Sequence, residues 1–195
     1  MKRRPAAAIL SVAAIALPLL SACGDDASKP SSAASSALLA REAVVPVSAV
    51  TQYFPDVSQE ASTGPNETSV GKAIGSRSVV FVSADGKKKV TLSVDQYASA
   101  SDAASAYRTA VEGSKDAPGF KPAAAPDLGE EAFAGSSQVG AEMHFGIGAR
   151  DGSLIMSATH AGDIPVTPDN SAKLISLGGE ELATAKKVLA PGGSG

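Results

Sequence analysis

Two Asp-Gly pairs, each set between runs of alternating apolar and polar residues, constrain this 195-residue chain more than any other feature. Asp-Gly is the composition of a tight type I′ hairpin turn, because aspartate tolerates and glycine favours a positive φ. Ser78–Ala84 and Lys87–Tyr97 flank Asp85-Gly86. Their alternation puts Val79, Phe81, Val90, Leu92, Val94 and Tyr97 on one side, and Lys89, Thr91, Ser93 and Asp95 on the other. Glu142–Ala149 and Ser153–His160 flank Asp151-Gly152 in the same way. Met143, Phe145, Ile147, Ala149, Leu154, Met156 and Ala158 share one side; His144, Arg150, Ser153, Ser157 and Thr159 share the opposite one. A period of two predicts antiparallel sheet with one buried face and one face in water.

A helical pattern follows each hairpin. Ser101 or Asp102 caps one that reaches about Glu112, with Ala103, Tyr107, Ala110 and Val111 inward and Gly113 at its end. Another runs through Leu182, Ala185 and Leu189, with Glu180 and Glu181 in its first turn. It starts there or near Asn170, and Gly178-Gly179 leaves the start open. Val45–Phe54, ending at Pro55, predicts a short first helix; the polar stretch 56–76 predicts loop or an irregular edge strand. The order is hairpin–helix, linker, hairpin–helix. It predicts a two-layer α+β domain, an antiparallel sheet of hairpins with the helices packed on one face.

The N-terminus carries a different message. Lys2, Arg3 and Arg4 precede an uncharged Ala/Leu/Ile-rich stretch that closes on Leu20-Ser21-Ala22-Cys23. This is the build of a targeting segment, and its end resembles the bacterial lipobox. In lipoproteins of that type the cysteine thiol is alkylated with a diacylglyceryl group and becomes the new N-terminus. The resemblance implies a signal peptide over 1–22 and a lipid-bearing Cys23 that begins a Ser/Ala-rich tether over 23–42. The domain then spans 43–190, and 191–195 form a short Pro/Gly tail. An uncleaved membrane span and plain secretion are the alternatives. Two or more acyl chains, each methylene contributing about 0.8 kcal/mol, hold a protein at a membrane where one short chain holds only marginally. Cys23 is the single cysteine, so no intramolecular disulfide forms.

The full chain has 17 basic and 20 acidic residues; without Lys2, Arg3 and Arg4 the balance is 14 against 20. Acidity of this kind argues against nucleic-acid binding and against electrostatic adhesion to anionic lipid.

The run from Tyr97-Ala98-Ser99-Ala100-Ser101-Asp102-Ala103-Ala104 through Tyr107, followed by Leu128-Gly129-Glu130-Glu131-Ala132-Phe133, a hairpin and a last helix, carries a second resemblance. It is similar to small actinobacterial cell-envelope lipoproteins and to the sensor-type extracytoplasmic domain of some bacterial serine/threonine kinases. The similarity covers roughly residues 45–190 and its motifs are short. It implies a sensing or binding role outside the membrane and transfers no catalytic residue.

Candidate chemistry is sparse. His144 belongs to the polar side of its strand, as a surface residue; His160 continues the apolar side, capping the edge of the core. Strand alternation sends them apart, so no shared metal site is expected. Ser157, His160 and Asp163 are close in sequence, but Ser157 and His160 face opposite ways, and no G-x-S-x-G elbow exists. Gly146-x-Gly148 opens a hairpin rather than a helix, so it is not a dinucleotide fingerprint. Glu130 and Glu131, adjacent on an extended segment, point apart. What remains is a docking face on the polar side of the second hairpin, made of His144, Gly146, Gly148, Ser157 and Thr159, because strand glycines mark close approach. The expected function is a lipid-anchored, non-catalytic ligand- or protein-binding module with no cofactor. Its partner is an envelope protein, a lipid or a small ligand. An assembly factor docking on another envelope protein is the alternative, and an envelope hydrolase a third.

Overall fold

Valine, leucine and phenylalanine at every second position need a partner surface, and the two hairpins supply it to each other by lying side by side. The computed structural model describes residues 36–190. The segment read as a signal peptide, Cys23, most of the segment read as a tether and residues 191–195 lie outside the described residues. The strands are β1 (Ala37–Leu38), β2 (Val57–Gly64), β3 (Gly75–Ser83), β4 (Lys88–Gln96), β5 (Lys121–Pro122), β6 (Glu131–Val139), β7 (Glu142–Asp151) and β8 (Leu154–Gly162). The helices are α1 (Val47–Tyr53), α2 (Ala100–Lys115) and α3 (Pro168–Leu189). The sheet order is β1-β3-β4-β8-β7-β6-β5, with β2 also pairing on β3. Only the two-residue β1 runs parallel to its neighbour. The α+β class and the antiparallel sheet are those the alternation predicts.

Both turns differ from type I′. Ser83 O accepts from Gly86 N–H at 2.8 Å. Gly86 has φ 72°, and among the described residues none other than glycine has a positive φ, so Asp85 does not enter the left-handed region. Asp85 Oδ1 instead accepts from the Ser83 hydroxyl at 2.6 Å and from Lys87 N–H at 3.1 Å. In the second hairpin Asp151 pairs with Leu154, so the loop is Gly152-Ser153, one residue later than the Asp-Gly reading.

The helices correct the one-face arrangement. Leu174, Leu177, Leu182 and Ala185 of α3 and Val50 of α1 are buried with Val79, Phe81, Leu92, Phe145, Ile147 and Met156 in the main core. The opposite sheet face carries α2, whose Ala103 and Ala106 pack with Tyr97, and partly with Ile155, Val70 and Ala73. Tyr97 therefore belongs to the α2 face, with its hydroxyl donating to Val70 O at 2.6 Å. Amphipathicity tells that a helix has a buried side, not which face of a sheet receives it.

Boundaries moved where caps and close contacts decide. α2 is capped by Ser99, whose side chain accepts from Asp102 N–H at 3.1 Å, and it runs through Gly113. α3 is capped by Thr167 and continues unbroken through Gly178-Gly179, so Glu180 and Glu181 are mid-helix rather than N-terminal. Gly178 lies against Ile147 Cδ1 and Met156 Cε, and a side chain there would collide with the sheet. β6, read as linker, pairs with β7 along its whole length. The fold also takes in residues 36–42, at the end of the segment read as tether. Leu39 is buried and its carbonyl accepts from Arg77 Nε at 2.5 Å. No helix among the described residues is long and apolar enough to cross a membrane.

Candidate functional site

Strand register builds a track of small residues across the α2 face. One rung runs Phe133, Gly148, Ser157, Ser93, Ser78, Gly64 from β6 to β2. The next runs Gly135, Gly146, Thr159, Thr91, Val80, Ser62. Past Phe133 no side chain on either rung is larger than valine or threonine.

Over β6 and β7 this track becomes a groove of about 320 Å³. Tyr107, Ala110 and Val111 of α2 form one wall, and Phe120 and Phe133 another. Those two phenyl rings stack with centroids 5.7 Å apart. His144, Gly146, Gly148, Ser157 and Thr159 all line this groove, so the structure brings the five docking-face residues together. The floor is low because it is glycine. A Cβ at Gly148 would stand 3.9 Å from Met156 O and 4.0 Å from Tyr107 Cε2, which is ordinary contact. At Gly146 it would stand 3.4 Å from Thr159 Oγ1. Packing therefore does not demand glycine at Gly148. Gly135 is different: the Phe120 ring lies directly on it.

A second, more polar trough of about 540 Å³ continues across β8, β4 and β3 to the segment 62–68. Ser157 and Thr159 line both concavities. The far bank is held by buried Asp95, which accepts from Asn66 Nδ2 at 2.8 Å and from the Ser69 hydroxyl. Burial raises the Asp95 pKa and these two hydrogen bonds lower it, with burial the larger. The polarity of Ser93 and Asp95 suggested water on this face; both are buried, at 5% exposure.

The remaining candidates separate. His144 is on the groove side, with Nε2 3.6 Å from Glu142 Oε2. His160 is fully buried within the main core rather than at its edge, its ring 6.1 Å from Phe54 and 5.8 Å from Phe145. Neither ring nitrogen has a hydrogen-bond partner, and burial pushes its pKa down to about 4, with His144 adding to the shift. Ser157 and His160 therefore sit on opposite faces. Among the described residues no three His, Cys, Asp or Glu side chains converge as a metal set. Glu130 and Glu131 do not point apart. Both reach Arg150, at 2.6 Å and 3.4 Å, because Glu131 is its register partner across β6 and β7.

One buried acid gave no sequence signal. Glu181 is fully buried, with Oε2 accepting from Val45 N–H at 2.8 Å and Oε1 unpartnered. Burial raises its pKa to about 8; the Val45 hydrogen bond and the Arg41 charge oppose this and lose. A glutamate beside another reads as helix surface until the helix is placed.

No protein-family model matches the sequence, and no curated protein matches it. Among solved structures, the extracellular domain of PknH from Mycobacterium tuberculosis is similar, with 9% identity and a TM-score of 0.52. That match covers 72% of this chain and 93% of the PknH domain. LpqN, involved in cell envelope biogenesis of Mycobacterium tuberculosis, aligns at 14% identity over 60% of this chain and 71% of LpqN, with a TM-score of 0.32. The first likeness is one of fold; the second is too distant to extend it.

Proposed function

We propose that this chain is a membrane-anchored extracytoplasmic lipoprotein whose folded part is a non-catalytic binding module, with the groove under α2 as its site. The carrying observation is the groove itself: aromatic walls, a glycine floor that packing at Gly148 does not require, and a few hydroxyls. A concave, mostly apolar surface with sparse polar groups is the usual form of a small-ligand site, and about 320 Å³ is at the small end of the range. A flat face would have favoured docking of another envelope protein. The lipobox supplies the anchoring half of the reading, with residues 1–22 removed and the domain tethered to Cys23. A fold shared with an extracellular domain fits that placement.

Native mass spectrometry of the full chain, purified from the membranes of a host that lipidates it, tests the reading. The wild-type protein should carry a co-purifying small-molecule adduct. Gly148→Val should lose that adduct while keeping its melting temperature within a few degrees. An adduct retained in Gly148→Val would remove the groove as the site.

A further inference from the structure

We propose that the groove and the trough are one continuous site, and that its ligand is an uncharged amphiphile. An alkyl portion lies under α2, and a hydroxyl-rich head lies across β8, β4 and β3. The inference rests on the reading of the groove as the binding site and goes further by naming the ligand chemistry.

Three observations carry it. First, the two concavities share Ser157 and Thr159 in their linings, so they adjoin at β8. The shared rungs cross six strands, a span of about 24 Å at the usual interstrand spacing of about 4.8 Å. Second, the lining changes character along that line. Tyr107, Val111, Phe120 and Phe133 surround the β6–β7 end. Ser78, Thr91 and Ser93 follow beyond β8, two of them hydrogen-bonded to each other at 2.9 Å. A hydroxyl both donates and accepts, so a row of them matches a partner that also presents hydroxyls. Third, the lining contains no lysine or arginine. A phosphate or sulfate head in the trough would find no lysine, arginine or histidine in its lining, and Glu67 at the far end repels an anion; His144 lies at the groove end, beside Glu142.

The probe is decyl maltoside below its micelle concentration, added to the full chain and read by calorimetry. Decyl sulfate, maltose and decanol are the comparison ligands. Decyl maltoside should bind at least tenfold more tightly than decyl sulfate or maltose. Thr91→Val/Ser78→Ala removes two hydroxyls from the trough, at residues that do not line the groove. It should weaken decyl maltoside about tenfold and leave decanol unchanged. Decyl sulfate binding as tightly as decyl maltoside would overturn the proposal, as would an unchanged double variant. If no probe binds, yet the co-purifying adduct is lost in Gly148→Val, the groove stands as a site and the amphiphile is wrong. If the adduct also survives Gly148→Val, both readings fall.

Discussion

Two buried ionisable side chains tilt the stability of this domain in opposite directions with pH. Glu181 has a folded pKa near 8, above its ordinary value of 4.5. The unfolded chain therefore releases that proton first, and stability falls as pH rises from about 4.5 to about 8. His160 has a folded pKa near 4, below its ordinary 6.5, because burial disfavours its charged form. The unfolded chain takes up that proton first, so stability falls as pH drops from about 6.5 to about 4. Glu181→Gln keeps an oxygen for Val45 N–H and removes the charge. Melting temperatures between pH 4 and pH 9 should then show the alkaline decline flattened and the acidic decline, now unopposed, steepened. An unchanged alkaline limb would mean that Glu181 is ionised in the folded state at neutral pH without cost. Neither group was legible in sequence. His160 was placed on the correct strand face by alternation, but its depth depends on α1 delivering Phe54 over it. Glu181 is buried because Val45 needs an acceptor, a demand that arises 136 residues away in the chain.

At the scale of elements, α3 is where the chain departs most from its local propensities. Two consecutive glycines in a helix interior cost about 1 kcal/mol each relative to alanine. Gly178 returns that cost by letting the helix approach Ile147 and Met156; Gly179 faces only Leu128 Cδ2, at 3.3 Å from a hypothetical Cβ. Alanine at either position gains the same helix propensity, so the difference between the two variants isolates packing. Gly178→Ala should be less stable than Gly179→Ala by about 1–3 kcal/mol in urea unfolding, the usual cost of overpacking. Equal stabilities would show that α3 has room to move. The hairpins were readable because β4, β7 and β8 each keep one apolar face over most of their length, and β3 sets Val79 and Phe81 in step with β4. β6 was not, because Ala-Phe-Ala-Gly-Ser-Ser breaks alternation with small residues on both faces, and its strand state comes from the β7 ladder. Tyr97 was misplaced because it was grouped by its apolar character: it has the parity of Thr91, Ser93 and Asp95, and strict alternation sends it to the α2 face where it packs.

For the whole molecule, the proposed anchoring and the fold rest on separate segments. Cys23 is the only thiol and precedes the described domain, so its loss should not touch the fold. Cys23→Ser should stop incorporation of labelled palmitate and shift the protein from the membrane fraction to unprocessed precursor or released material. Processed, acylated Cys23→Ser protein in membranes would refute the lipobox reading. That the five residues proposed as a docking face share one side of the sheet was readable from strand parity alone, since alternation fixes who shares a face. The groove they line was not, because its walls come from α2 and from Phe120, whose positions no local pattern encodes. A sheet with its main core on one side and its small-residue track on the other divides the substitutions open to the chain into two nearly independent sets. If the proposed site is the binding site, changes at track positions that packing leaves free, such as Gly148, would alter what is recognised at little thermodynamic cost, while changes beneath α3 alter whether the chain folds at all. Such a scaffold can drift to new specificities while its architecture stays fixed.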